Sequence, residues 1–183
     1  MRNCVVVFAA LFALIAAPAL AADYRQAPGS TLAFAGKYQD EVFVGRFPGF
    51  VTTLTFDPAQ LTTARLEVTI PLATATTANP DYDSELRGAA FLDSARFPQA
   101  RYTASRFRSL GGNRYAADGT LALHGIERPV TLTFTWTAGA RPVLAGQATV
   151  RRLDFDVGGG DWADTDLIPD EIAISTRVVL QPR

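Results

Sequence analysis

A pair of alternating strands between Gly119 and Trp136 constrains the fold of this chain more than any other feature. Apolar residues fall at every second position in two runs, at 121 and 123 and then at 130, 132, 134 and 136. Successive side chains of a strand point to opposite faces, so each run has one dry face. Threonines at 131, 133, 135 and 137 form the wettable face of the second run. The pattern predicts an antiparallel hairpin whose dry face must be covered.

The same alternation recurs along the chain and predicts about nine strands. They cover residues 31–38, 41–47, 50–56, 64–72, 99–107, 114–123, 130–137, 143–155 and 171–180. The alternation of apolar and polar residues stops at Asn79. This residue is a candidate N-cap, followed by Pro80 at the first helical position and by Asp81 in the first turn. This change predicts one short helix that ends near Gly88.

The dry faces limit the architecture to two arrangements. Antiparallel strands of this kind either stack as two sheets or close into a barrel, and closure removes the exposed edges. An eight-stranded barrel is wide enough to be filled by side chains or to hold one small ligand. The inward positions are Leu, Ile, Val and Phe, so a cavity would suit an apolar ligand, while a filled core is the equal alternative. The predicted fold class is all-β with one short helix.

The first 21 residues have the features of a secretory signal peptide. Arg2 gives a positive start, an apolar stretch runs from Cys4 to Ala17, and Ala19-Leu20-Ala21 matches a small-residue cleavage site. The apolar stretch is shorter than the roughly 20 residues that span a bilayer, which argues against a retained anchor. We therefore expect cleavage after Ala21, a periplasmic location and a single domain over 22–183.

Charge and cysteine content argue against several classes of function. Arg2 is the only charged residue of the leader, so 16 of the 17 Lys and Arg residues stay in the mature chain, against 18 Asp and Glu. This slightly acidic balance argues against a nucleic-acid partner, which calls for a basic surface. The only cysteine, Cys4, leaves with the leader, so we expect no disulfide and no cysteine nucleophile or metal ligand.

Few residues could carry catalysis or bind a metal. His124 is the only histidine, and a turn histidine more often hydrogen-bonds its own loop than acts in catalysis. The chain has no Gly-x-Ser-x-Gly motif, and one histidine without cysteine does not make a usual zinc site. The helix dipole explains Asp81 and Asp83, and the acidic loop 158–166 lacks the spacing of an EF-hand. We expect no catalytic residue, no metal and no cofactor.

Six groups of short motifs lie in a characteristic order along the mature chain. They are Gly45-Arg46-Phe47 with Phe56-Asp57-Pro58; Asn79-Pro80-Asp81-Tyr82-Asp83 with Leu86-Arg87; Phe91-Leu92-Asp93 with Phe97-Pro98; Gly119-x-Leu121-x-Leu123-His124-Gly125 with Arg128-Pro129-Val130; Arg152-Leu153-Asp154-Phe155; and Asp170-Glu171-Ile172. In this order and spacing they resemble the YceI-like family of secreted lipid-binding proteins. The chain departs from the family pattern at Glu85, where many members have histidine, and at Asp156, where glycine is usual.

The resemblance implies a lipocalin-like, eight-stranded extended antiparallel barrel with an internal hydrophobic tunnel. It also implies an isoprenoid-type lipid as ligand, either a polyisoprenoid or an isoprenoid quinone, without stable membrane insertion. The helix and the loop 158–166 are candidates to cap the openings, and a homodimer is an open alternative. Strand phase and the resemblance together place these residues on the tunnel wall: Leu54, Phe56, Leu66, Val68, Ile70, Leu121, Leu132, Phe134 and Ile174.

Other functions fit the same barrel. One is a small-molecule hydrolase that uses His124 or the pair Asp81 and Asp83, and another is a non-catalytic module that recognises a second envelope protein. A membrane-embedded barrel would need an apolar outer face. The outer face here carries Arg, Thr and Glu, which favours a barrel in water.

The leader gives the first testable prediction. N-terminal sequencing of the exported protein should begin at Ala22, because Ala19-Leu20-Ala21 supplies the small residues that the signal peptidase requires. Replacing Ala21 with a bulky residue should leave the precursor uncut. A mature chain that still carries Leu11 to Leu20 would contradict the prediction.

Overall fold

The computed structural model describes residues 22–183, so the expected signal peptide lies outside the described residues. The described part contains one α-helix, α1 (Pro80–Arg87), and ten strands. In chain order the strands are β1 (Ala22–Gln26), β2 (Thr31–Tyr38), β3 (Glu41–Arg46), β4 (Val51–Phe56), β5 (Arg65–Pro71), β6 (Gln99–Gly111), β7 (Arg114–Leu123), β8 (Ile126–Thr137), β9 (Val143–Arg151) and β10 (Glu171–Pro182). Short 3-10 segments follow the ends of several of them.

Eight of the strands close into an antiparallel barrel. Their order is β1-β4-β5-β6-β7-β8-β9-β10, and β10 returns to pair with β1. The short β1 therefore has two partners, with Tyr24 opposite Leu54 of β4 and Gln26 opposite Leu180 of β10. This arrangement confirms the predicted all-β class with a closed eight-stranded barrel and one short helix.

The hairpin of β2 and β3 extends the wall at one end of the barrel. It pairs with residues 173–177 of β10, beyond the part of β10 that contacts β1. Two reciprocal pairs hold the hairpin: Phe34 lies opposite Gly45, and Phe43 lies opposite Gly36. A Cβ at Gly45 would lie 2.1 Å from the Phe34 ring, so the ring occupies the space that a side chain would need.

The hairpin that dominates the sequence has a two-residue turn. His124 and Gly125 both have positive φ, +55° and +76°, as a turn of this type requires. Strand β8 begins directly after the turn, at Ile126, and not at 130 as predicted. Pro129 is tolerated in the added segment because β8 pairs with β9 only from Thr133 onward, so its missing N–H breaks no second ladder.

The helix α1 lies where the sequence predicts it. The side chain of Asn79 accepts a hydrogen bond of 3.1 Å from the backbone N–H of Asp81, and Pro80 occupies the first turn. The backbone N–H of Gly88 then donates to the carbonyl of Glu85 and ends the helix. The N-cap and the proline thus determine the start of a helix that is only two turns long.

Two further strand predictions differ from the structure. Strand β1 was not predicted, because Tyr24 is the only large apolar residue in its five positions and gives no visible alternation. The strand predicted over 143–155 ends at Arg151, where a 3-10 segment begins. The backbone N–H of Arg152 donates to the carbonyl of Asp170, and Asp156 with φ +56° turns the chain back across the barrel.

Five aromatic side chains fill one end of the barrel, and we call them the aromatic end: Phe56, Phe107, Tyr115, Phe134 and Trp136. The ring of Phe56 lies at the centre, with ring centroids 4.9 Å from Trp136 and 5.2 Å from Tyr115. All five are buried. Their rings meet in tilted and edge-to-face arrangements, which aromatic side chains prefer, so this end of the barrel is a packed core.

A glycine on β7 supplies the second prediction. A Cβ at Gly119 would lie 2.6 Å from Cζ of Tyr102 and 2.5 Å from the carbonyl oxygen of Thr103. Gly119→Ala should therefore lower the free energy of unfolding by about 1–3 kcal/mol, the usual cost of overpacking. Thr120→Ala, at the exposed next position, should leave it nearly unchanged in the same denaturant titration. Equal unfolding midpoints for the two variants would contradict this close contact.

Candidate functional site

An apolar cavity of about 540 Å³ occupies the other half of the barrel, away from the aromatic end. Inward-facing residues of the barrel strands line it, together with residues of the β2–β3 hairpin and of α1. Val42 and Tyr82 belong to the lining although they are 68% and 51% exposed. The cavity therefore opens to solvent between β3 and α1. We call this opening the mouth and define it by Glu41, Val42, Tyr82, Glu85 and Trp162.

The structure divides the nine residues that were predicted on the tunnel wall. Six of them line the cavity: Leu66, Val68, Ile70, Leu121, Leu132 and Ile174. The other three, Leu54, Phe56 and Phe134, point inward but do not line it. Phe56 and Phe134 belong to the aromatic end, and Leu54 is 2% exposed in the packed core. Strand phase reveals which side chains face inward but not which half of the barrel is filled, so it could not separate the two groups.

Several inward side chains keep accessible surface. Val68, Ile70 and Ile174 lie on the inner face of the barrel and are only partly buried. Protein interiors are normally close-packed, so inward apolar side chains with free surface indicate unfilled space. The sequence left open whether the barrel interior is a filled core or a cavity. The interior is a filled core at the aromatic end and a cavity in the half next to the mouth.

The carboxylate of Asp83 fixes the helix beside the mouth. Asp83 is buried and accepts hydrogen bonds from the hydroxyl of Thr76 at 2.7 Å and from the hydroxyl and N–H of Thr77 at 2.8 and 2.5 Å. The hydrogen bond from Thr76, followed by those from Thr77, lowers the pKa of Asp83 below its usual value. Thr76 also pairs with Arg46 at the end of β3. The helix is thereby tied to the edge strand across the mouth.

The guanidinium of Arg152 holds the segment on the other side of the cavity. Arg152 is 3% exposed, and its guanidinium, which has five N–H groups, donates five hydrogen bonds to backbone carbonyls. The acceptors are the carbonyls of Pro169, Val157, Gly158, Trp162 and Ile168. These carbonyls lie on both arms of the segment 157–169, so one side chain ties the whole segment together.

Arg152 has no carboxylate within salt-bridge distance in the described part of the chain. Burial lowers its pKa, and the nearby charge of Asp170 opposes this effect. Asp170 is used elsewhere, since it accepts from Nε of Arg151 and from the backbone N–H of Leu153, both near 2.8–2.9 Å. No role was predicted for Arg152. Its strand phase could have indicated that it is buried, because it follows Ala148 and Val150 at the inward positions of β9.

The residues considered for catalysis are dispersed. Nδ1 of His124 lies 3.2 Å from the carbonyl oxygen of Phe155, and its ring packs on Phe97 with centroids 4.8 Å apart. His124 does not line the cavity, nor do Asp81 and Asp83. Between residues 22 and 183, no group of three or more His, Cys, Asp or Glu is placed to share a metal ion.

No helix described between residues 22 and 183 combines the length and the apolar character needed to cross a bilayer.

Comparison with known proteins identifies the family. The sequence profile of the YceI-like domain matches residues 25–180, which is most of the chain. The chain belongs to the YceI-like family. Protein YceI of Salmonella arizonae is 36% identical over 149 residues, which are 75% of this chain and 74% of that protein. A UPF0312 protein of Pseudomonas syringae pv. tomato is 26% identical over 157 residues, 80% of this chain and 82% of its own.

Solved structures of this YceI-like fold superpose well on the chain. BcnA of Burkholderia cenocepacia is 29% identical with a TM-score of 0.79, and the match covers 82% of this chain and 95% of BcnA. A polyisoprenoid binding domain from Saccharophagus degradans has a TM-score of 0.66 over 90% of this chain and 99% of that domain. Its identity to this chain is 15%, so this second likeness concerns the fold alone.

Adjacent arginines give the third prediction. Arg152→Lys should lower the free energy of unfolding by at least about 2 kcal/mol, because three ammonium donors leave buried carbonyls unpaired at about 1–3 kcal/mol each. Arg151→Lys is the matched control. Arg151 is 63% exposed and pairs with Asp170, so the control should cost less than about 1 kcal/mol. Chemical denaturation of both variants checks the difference, and equal losses would contradict the anchoring role of Arg152.

Proposed function

We propose that this protein is a secreted, periplasmic carrier that encloses an isoprenoid-type lipid, a polyisoprenoid or an isoprenoid quinone, in the barrel cavity. The observation that supports this most directly is the cavity itself, apolar along its wall and open at the mouth. The family adds support, since a structural relative is described as a polyisoprenoid binding domain. The signal peptide expected from the sequence supports the location.

The physical basis of binding is the transfer of an apolar chain out of water. Each buried CH₂ group contributes roughly 0.8 kcal/mol before the cost of ordering the chain is subtracted. A volume of about 540 Å³ lies inside the range of roughly 300–1,000 Å³ that is typical of ligand pockets. Leu66, Val68 and Leu132 offer a wall of branched side chains without charge. Such a wall selects by shape and hydrophobicity.

The proposed role is sequestration or transport of the lipid without chemical change. His124 contacts the carbonyl of Phe155 through Nδ1 only, and it lies outside the cavity lining. The carboxylate of Asp83 already accepts hydrogen bonds from Thr76 and Thr77. A hydrolase would need a nucleophile and a base within hydrogen-bond reach of each other and of the ligand. The side chains around this cavity are better suited to holding an apolar molecule.

Filling the cavity gives the fourth prediction. Leu132→Trp or Val68→Phe should reduce the lipid that copurifies with the protein, because the added side-chain volume takes the place of the ligand. Overpacking should cost about 1–3 kcal/mol of stability. The measurement is lipid extraction and mass spectrometry of each folded variant beside the parent.

The matched control for cavity filling lies on the same strand. Thr135 is exposed on the outer face of β8, so Thr135→Trp adds the same bulk outside the barrel. This variant should retain the lipid content of the parent. Equal lipid in the parent and in the filled variants, or no lipid in a parent offered isoprenoid lipids, would falsify the carrier proposal.

His124 gives the fifth prediction. Asparagine tolerates the positive φ of this position, and Asn-Gly is a favoured pair for such a turn. His124→Asn should therefore fold, lose about 1–3 kcal/mol for the hydrogen bond to Phe155 and the ring contact with Phe97, and keep the lipid content of the parent. Assays of ester hydrolysis on both proteins complete the test. Turnover by the parent that disappears in folded His124→Asn would contradict the non-catalytic role.

A further inference from the structure

With one exception, the buried polar side chains of the cavity lining are hydrogen-bonded within the protein. The five N–H groups of Arg152 serve five backbone carbonyls. The hydroxyl of Tyr102 bonds to the carbonyls of Ala117 and Val130 at 2.7 and 3.1 Å, and that of Thr176 donates to the carbonyl of Thr31. Away from the mouth, the cavity lining in the described part of the chain therefore offers no free cation and few free hydrogen-bonding groups.

The hydroxyl of Thr52 is the exception. Thr52 lies on β4, is 1% exposed and belongs to the cavity lining, and its Oγ1 has no hydrogen-bond partner. It stands in one row across the sheet with Val68 and Tyr102, which also line the cavity. A buried hydroxyl without a partner costs about 1–3 kcal/mol, so its presence in an otherwise apolar wall calls for a partner that enters the cavity.

A second unpaired oxygen lies on the neighbouring strand. The side chain of Gln26 on β1 donates to the carbonyl of Phe50 at 3.0 Å, while its Oε1 is buried without a partner. Arg25 of β1 lies opposite Thr53 of β4, so the next position of the register brings Gln26 opposite Thr52. Strand phase directs both side chains inward, since Tyr24 of β1 and Leu54 of β4 pack in the core, and of the two only Thr52 lines the cavity.

The number of available hydrogens decides what this pair can bind. Gln26 Oε1 can only accept a hydrogen bond. The hydroxyl of Thr52 therefore supplies the single hydrogen that is available to the two unpaired oxygens, its own Oγ1 and Gln26 Oε1. A ligand hydroxyl brings a second hydrogen and a further acceptor, so the three oxygens can be linked without leaving one unpaired. A carbonyl brings no hydrogen and leaves one acceptor unpaired. A phosphate brings negative charge to a cavity where the only arginine is already committed and where Glu41 and Glu85 flank the mouth.

We propose that Thr52, with Gln26 beside it, is a polar contact site inside the cavity that recognises an uncharged hydroxyl of the bound lipid. This proposal rests on the proposed carrier function and refines it, since it favours a long-chain isoprenoid alcohol over the corresponding carbonyl compound or phosphate. The apolar wall binds the chain, and the Thr52 site sets the position of its polar group.

Four C20 ligands with one shared chain test the site: geranylgeraniol, its aldehyde, its monophosphate and the hydrocarbon with a methyl group in place of CH₂OH. Their dissociation constants are measured by displacement of a fluorescent apolar probe from delipidated mature protein. Thr52→Val keeps the shape of the side chain and removes the hydroxyl. Thr53→Val, on the outer face of the same strand, is the control.

The decisive quantity is the ratio of alcohol to hydrocarbon affinity, compared between variant and parent, because water solvation of the ligands cancels in this comparison. One hydrogen bond corresponds to roughly five- to tenfold in this ratio. Thr52→Val should lower it by that factor and should also lower the preference for alcohol over aldehyde, while Thr53→Val leaves both unchanged. The monophosphate should bind the parent at least about tenfold more weakly than the alcohol, because no free cation offsets its desolvation.

The stability of the empty protein gives a second readout. Thr52→Val should be at least as stable as the parent, because it removes a buried hydroxyl without a partner. A clear loss of stability would show that Thr52 has a partner within the protein and would overturn the proposal. An unchanged alcohol-to-hydrocarbon ratio in Thr52→Val would overturn it as well, including the case in which a water occupies the site. If no C20 ligand binds the parent, the carrier function itself fails.

Discussion

The closure of the barrel by β1 is the constraint on which the rest of the structure depends. Five residues, Ala22–Gln26, pair with β4 on one side and with β10 on the other. Without them, two strand edges would be open and the inward faces of the barrel would reach solvent. Closure also allows the barrel to contain a cavity. The hydrogen bonds between strands run around a complete ring and keep the wall in place where no side chains fill the interior. The strand that contributes the fewest apolar residues thus determines whether the interior is enclosed.

A gradient of side-chain size within this ring separates the packed half from the open half. At the aromatic end, rings such as Phe56 and Trp136 reach across the barrel and meet. In the other half, the inward positions of the barrel strands include Val68, Ile70 and Ile174, which are aliphatic and keep accessible surface. Side-chain volume at the inward positions therefore helps to decide where a ligand fits. A phenylalanine near the mouth would extend the core, and an aliphatic residue at the aromatic end would extend the cavity.

This gradient also explains how much the sequence could predict. Period two gave the inner face of nearly every strand, and the N-cap Asn79 with Pro80 gave the helix, since both signals are local. The depth of each position along the barrel depends on register between strands, which no local pattern contains, so Phe56 and Phe134 were placed beside Leu66 on one wall. Arg152 shows the second limit. Its inward phase was visible, but its role depends on carbonyls up to seventeen residues away.

The contacts that cover the mouth differ in kind from those that hold the wall. The wall is a continuous ladder, whereas the cover depends on two polar centres, Asp83 for α1 and Arg152 for the segment 157–169. Opening the cover breaks the hydrogen bonds of these two centres and leaves the ladder of the barrel intact, so it costs less than global unfolding. The barrel can therefore stay folded while its cover moves. A ligand in the cavity could then exchange through the mouth while the closed ring of strands stays intact.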